Sequence, residues 1–108
     1  MNDKSTRFTR SSGNVFADIG LENPDEHMLK AEIAVLIGRL INRQGLTQTA
    51  AAVKLGMAQS DISRILRGQL SGYSLERLFA IVRALGQDVE IKVRPAKNRD
   101  MGRIKMSA

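Results

Sequence analysis

The chain has 108 residues, no cysteine, only four aromatic residues (three Phe and one Tyr) and a net charge of +6. That length suits one domain. The lack of cysteine excludes a disulfide framework, a zinc-thiolate site and a thiol nucleophile. No apolar run approaches the roughly 20 residues of a membrane span.

Hydrophobic residues make up 43% of the chain, so the core must be aliphatic. A core of that size is marginal on its own, and association with a second chain would help it. The N-terminal "MNDKSTRFTRSSGN" has charges but no apolar h-region, which reads as a cytoplasmic protein without a secretory signal. The charge is uneven: residues 91–108 hold six Lys/Arg against Asp100 alone, while residues 25–90 are close to neutral. A basic excess suits a nucleic-acid partner, but most of it lies in the C-terminal tail.

Residues 1–14 are polar and aperiodic and read as a flexible arm. "NVFADIGLENPDE" then places Phe16, Ile19 and Leu21 before Pro24, too apolar for a free tail; these residues must pack on this domain or on a partner. A helix should open near Pro24-Asp25-Glu26, with two acids in the turn where the helix dipole favours them. Leu29, Ile33, Leu36, Ile37 and Leu40 form its buried stripe, and Gly45 follows its end. Thr47 suits the N-cap of a second helix carrying Ala50, Ala51, Val53 and Leu55, stopped at Gly56. A third helix should run from Gln59 to Arg67 with Ile62, Ile65 and Leu66 inward, followed by a "GQLSGY" loop. Ser74 then caps a fourth, carrying Leu75, Leu78, Phe79, Val82 and Leu85. After Gly86 the period changes to two: Val89, Ile91 and Val93 alternate with charges. This is the pattern of a half-buried strand over residues 88–94, ended by Pro95; its partner strand must come from residues 14–20, from a second copy of the chain or from another protein. Residues 95–108 read as a basic, disordered tail.

Two short helices joined by a tight glycine-containing turn, here residues 47–67, define a helix-turn-helix. The "AAA" at 50–52 permits close approach of the next helix, and Met57 can plug the core beneath the turn. Gln59, Ser60, Ser63, Arg64 and Arg67 share the side opposite the apolar residues. In the major groove Gln can pair with adenine, Ser is adaptable, and Arg can take guanine or phosphate.

"LTQ" and "KLGMAQSDISRILRG" resemble the motif of the lambda repressor and Cro family, also called the XRE family, whose pattern extends over about residues 29–86. The resemblance implies a mainly α, compact four- to five-helix lambda-repressor-like DNA-binding domain over residues 15–94, closed by the short strand. It implies that Gln59, Ser60, Ser63 and Arg64 read bases. Thr47, Gln48, Arg67, Ser71 and Tyr73 would hold the DNA backbone, with Gln48 also bracing Gln59. Asp61 is unusual there, and reads more simply as a helix-start charge.

"FADIGL" and "LERLFAIVRALGQDVEIKV" resemble the flanks of HigA-type antitoxins. Such proteins bind a small basic RelE-fold toxin and repress their own operon as homodimers on a pseudo-palindromic operator. Phe16, Ile19, Leu21, Val89, Ile91 and Val93 are then the candidates for a dimer or toxin interface. A stand-alone regulator without a toxin is the competing expectation. No enzyme is expected: the single His27 sits on a helix's first turn without a recognisable partner, and no nucleophile–base pair or phosphate loop is visible. No metal site or cofactor is expected either.

Overall fold

The computed structural model describes residues 24–107. Four helices occupy this span: α1 (Pro24–Arg43), α2 (Gln48–Leu55), α3 (Gln59–Leu66) and α4 (Leu75–Ala84). Pro24 opens α1, where its missing N–H costs nothing, with Asp25 and Glu26 in the first turn. Lys30 lies 3.6 Å from Glu26 one turn on. Leu29, Ile33, Ala34, Ile37, Leu40 and Ile41 are buried along one face, as an apolar stripe at helical spacing requires. That face packs against α4 and α3.

Each helix ends in the same way. At α1 the Leu46 N–H reaches back to the Ile41 carbonyl and the Gly45 N–H to Asn42, the paired bonds that close a helix through a left-handed residue. Gly56, Gly68 and Gly86 close the other three with equivalent bonds. Gly56 makes the turn of the motif. Its φ of +65° lets the chain reverse within three residues between α2 and α3, where any side chain would be strained. The other helix ends are also well made: Thr47 Oγ1 accepts from the Ala50 N–H at 3.0 Å, and Ser74 Oγ from Arg77 N–H at 3.1 Å. Gln44 ties three elements together, donating to the Leu85 carbonyl at 2.8 Å and accepting from Lys54 Nζ at 3.2 Å.

The core joins Ile33 and Ile37 of α1, Ala51 of α2, Ile62 and Ile65 of α3, and Leu78, Val82 and Leu85 at α4. Ala51 is fully covered, its small side chain part of the shared core. Met57 packs against the core beneath the turn, as its position suggested. The structure departs from sequence expectation at α2. Ala51 and Ala52 point inward, with Leu55 half-buried between them on the helix surface, whereas Ala50 and Val53 face out and Val53 is 80% exposed. The main packing partner of this eight-residue helix is α3, and a residue two positions beyond Ala51 lies on the far side of the helix. The 67–74 loop is also less superficial than its composition suggests: Leu70 and Tyr73 are buried beneath it.

Two further expectations require correction. Residues 88–94 do not form a strand; Val89 packs on the core, but Ile91 and Val93 are exposed. A strand exists only with a ladder to share, and no backbone hydrogen bond engages this segment among the described residues. Four helices, not five, lie in the described span. Phe16, Ile19 and Leu21 fall outside it, as does the 1–14 arm. Residues 95–107 have no regular structure and are mostly exposed, although Met106 returns to the core. Among the described residues no helix is long and apolar enough to cross a membrane.

Candidate nucleic-acid interface

α3 is the most amphipathic surface element of the motif. At about 100° per residue, Gln59, Ser60, Ser63, Arg64 and Arg67 fall within one arc of about 140°, and Ile62 and Ile65 lie opposite. The apolar side is 1% exposed at each isoleucine. The polar side is open: Gln59, Ser60 and Arg67 are exposed, Ser63 and Arg64 half-exposed. α3 packs against both α2 and α1, and the two together fix its tilt.

The N-terminus of α3 is preceded by Ala58, whose side chain makes no cap. Its first amide groups therefore face outward with the positive end of the helix dipole, a combination that suits an approaching anion. The N-terminus of α2 is similar in consequence. Thr47 spends its hydroxyl on the Ala50 amide, and Gln48 stands exposed at the first helical position.

Further along α3 the polar residues are positioned by one another. Arg67 Nη1 donates to Ser63 Oγ at 3.0 Å. Arg64 is drawn toward the following loop: it lies 3.7 Å from the Asp61 carboxylate, donates to the Ser71 carbonyl at 3.4 Å and sits 5.6 Å over the Tyr73 ring. The expected residues thus divide into two groups. Gln59, Ser60, Ser63 and Arg67 form an open surface, while Arg64 bridges α3 to the Ser71–Tyr73 loop. The Asp61–Arg64 pair is too exposed to add much stability, so its consequence is orientation.

Tyr73 departs from its expected place on the surface. It is only 5% exposed, a core residue on which Arg64 and Arg77 stack. Arg77, 5.4 Å from the ring centre, was not distinguished by sequence reasoning. The available signal was its place in the first turn of a helix following the loop, a position common to many unremarkable residues.

Burial raises the Tyr73 hydroxyl above its ordinary pKa of 10.0; Asp61, which accepts its hydrogen bond, pushes the same way, and Arg64 and Arg77 oppose. Well below 10.0 the phenol is neutral in both folded and unfolded chains. Above it the unfolded chain ionises first, and the stability linked to Tyr73 is lost as pH rises through the folded value. Because Tyr73 is the sole tyrosine and there is no tryptophan, ultraviolet absorbance of tyrosinate reads it directly. The midpoint should lie above 10.0, and Asp61→Asn should lower it. A native midpoint at or below 10.0 contradicts this packing.

No group of three or more His, Cys, Asp or Glu side chains among the described residues could hold a metal ion. His27 is exposed on the first turn of α1.

Comparison with known proteins agrees with this geometry. The helix-turn-helix domain family matches residues 15–94, which is most of the chain. A solved structure described as a "Putative XRE Family Transcriptional Regulator" is 37% identical, with a TM-score of 0.66; the match covers 78% of this chain and 93% of that one. None of the curated proteins compared with it matches. The chain belongs to the XRE-type helix-turn-helix family, DNA-binding transcriptional regulators rather than enzymes.

Proposed function

We propose that this protein is a sequence-specific repressor that binds a pseudo-palindromic operator as a homodimer and acts by covering the promoter. The observation that carries this reading is the open arc of Gln59, Ser60, Ser63 and Arg67 on a helix whose opposite side is wholly buried. A polar solvent side is usual on a surface helix; what distinguishes this one is its place as the second helix of the turn motif, with its first amides left uncapped. Two copies would place α3 in successive major grooves about 34 Å apart. Gln59, Ser60, Ser63 and Arg64 would read bases. Thr47, Gln48, Arg67 and Ser71, with Arg77 beside them, would hold phosphates, which set register without carrying sequence. The cell's cytoplasm is where such a protein meets its operator.

Arg67 provides a check on the division of labour. Arg67→Ala should weaken specific and random DNA alike and reduce the salt slope by about one. Binding measured over a series of salt concentrations reads this, and an unchanged slope removes Arg67 from the phosphate contacts.

The antitoxin reading is the finer part of the proposal. It is favoured by the resemblance of residues 16–21 and 75–93 to the flanks of HigA-type antitoxins. On that reading the protein also neutralises a small basic RelE-fold toxin from the adjacent gene. Expression of that gene product with and without this protein tests it. Growth arrest relieved by a stable complex supports an antitoxin. No toxicity and no complex leave a stand-alone regulator.

A further inference from the structure

Residues 88–94 read Asp-Val-Glu-Ile-Lys-Val-Arg. We infer that this segment pairs with the same segment of a second copy as an antiparallel two-stranded ribbon centred on Ile91, and that this pairing sets the dimer. The inference rests on the dimeric reading above and adds its partner segment, direction and register.

The argument begins with the charges. Their order along the polar side is acid, acid, base, base: Asp88, Glu90, Lys92, Arg94. An antiparallel pairing about Ile91 sets Asp88 opposite Arg94 of the partner subunit and Glu90 opposite Lys92 of the partner subunit. All four cross-strand pairs are then of opposite sign. A parallel pairing sets every charge against its own kind. Moving the antiparallel register one step either way sets Glu90 on Glu90 or Lys92 on Lys92. Like charges directly opposite are unfavourable in a sheet and opposite charges favourable, so the pattern selects one direction and one register.

The apolar side agrees. In that register Ile91 meets Ile91 of the partner subunit, and Val89 meets Val93 of the partner subunit. Ile91 is 76% and Val93 90% exposed in the single chain, while Val89 already packs on the core. Two strands alone are marginal in water; a ribbon laid on the core through Val89 of each copy has the support it needs. The segment is also the right length to pair and stop. Gly86 ends α4 just before it, and Pro95, which has no N–H to donate, ends the ladder. No backbone hydrogen bond among the described residues competes for it.

The test exploits the symmetry. Glu90→Lys and Lys92→Glu should each raise the dimer dissociation constant about tenfold, since each turns two attractive pairs repulsive. The double variant should return it to near the native value, and the two single variants mixed should associate with each other. In a second arm, Ile91→Cys should cross-link to itself under mild oxidation in a chain that otherwise has no cysteine. Val93→Cys should not, because the two copies of residue 93 lie about 13 Å apart along the ribbon. Circular dichroism confirms that these exposed substitutions leave the helices intact. A dimer indifferent to both single substitutions, or one that fails to cross-link at residue 91, overturns the ribbon while leaving the dimeric reading standing. A double variant weaker than either single overturns the antiparallel direction. A chain that sediments as a monomer at every concentration, with and without operator DNA, overturns both readings.

Discussion

Gln59→Ala should weaken binding to the specific operator by about 1–3 kcal/mol and leave affinity for random DNA nearly unchanged. The asymmetry follows from where the residue stands. Gln59 opens α3, exposed at the end that on the proposed reading enters a groove first, and no hydrogen bond among the described residues commits its amide to the fold. A glutamine amide can donate to and accept from one adenine edge, and truncation removes both bonds together. Random DNA is held through phosphates, which this side chain does not serve. The measurement is a pair of titrations at one salt concentration, operator against scrambled duplex. Equal losses on both would assign Gln59 to the DNA backbone. Gln48→Ala is the informative companion: if Gln48 braces Gln59, the two losses are less than additive.

Leu78→Ala should destabilise the domain by about 2–5 kcal/mol, the cost of removing buried methyl groups and leaving a cavity. Leu78 is fully covered on α4, the helix that closes the core against α1. In a small domain, whose total stability is on the order of 5 kcal/mol, that loss leaves a substantial unfolded fraction at ordinary temperature. Thermal or denaturant unfolding monitored by helix content reads it. Phe79→Ala gives a useful contrast, since Phe79 is only half-buried at the edge of the same core. If Leu78→Ala costs less than Phe79→Ala, the arrangement of α4 described here is wrong.

The helices were legible because their ends are local. Thr47 and Ser74 cap through their own hydroxyls, and Gly45, Gly56, Gly68 and Gly86 close through bonds within six residues. No distant contact is needed to recognise either device. The polar arc on α3 was legible for the same reason, since helical periodicity alone sets which side chains share a face. What sequence reasoning missed depends on tertiary closure. Val53 reads as apolar and therefore inward, but it lies on the side of α2 away from the buried Ala51 and Ala52 and is exposed. Leu70 and Tyr73 sit in a stretch of turn composition, and nothing local announces that the loop folds over the core. Tyr73 consequently changed role, from a surface contact to a platform under Arg64 and Arg77. The 88–94 alternation reads as a strand, but a ladder requires a second strand, which one chain's described residues do not supply, and no strand forms there.

The central claim is that α3 reads DNA sequence on a two-fold site. Selection of bound duplexes from a randomised library, with the intact chain at near-physiological salt, tests it most directly. The account predicts enrichment of an inverted repeat whose half-sites are one helical turn apart, about 10 base pairs centre to centre, and loss of that enrichment in Gln59→Ala. A library that returns no motif, or the same motif with and without Gln59, would contradict it.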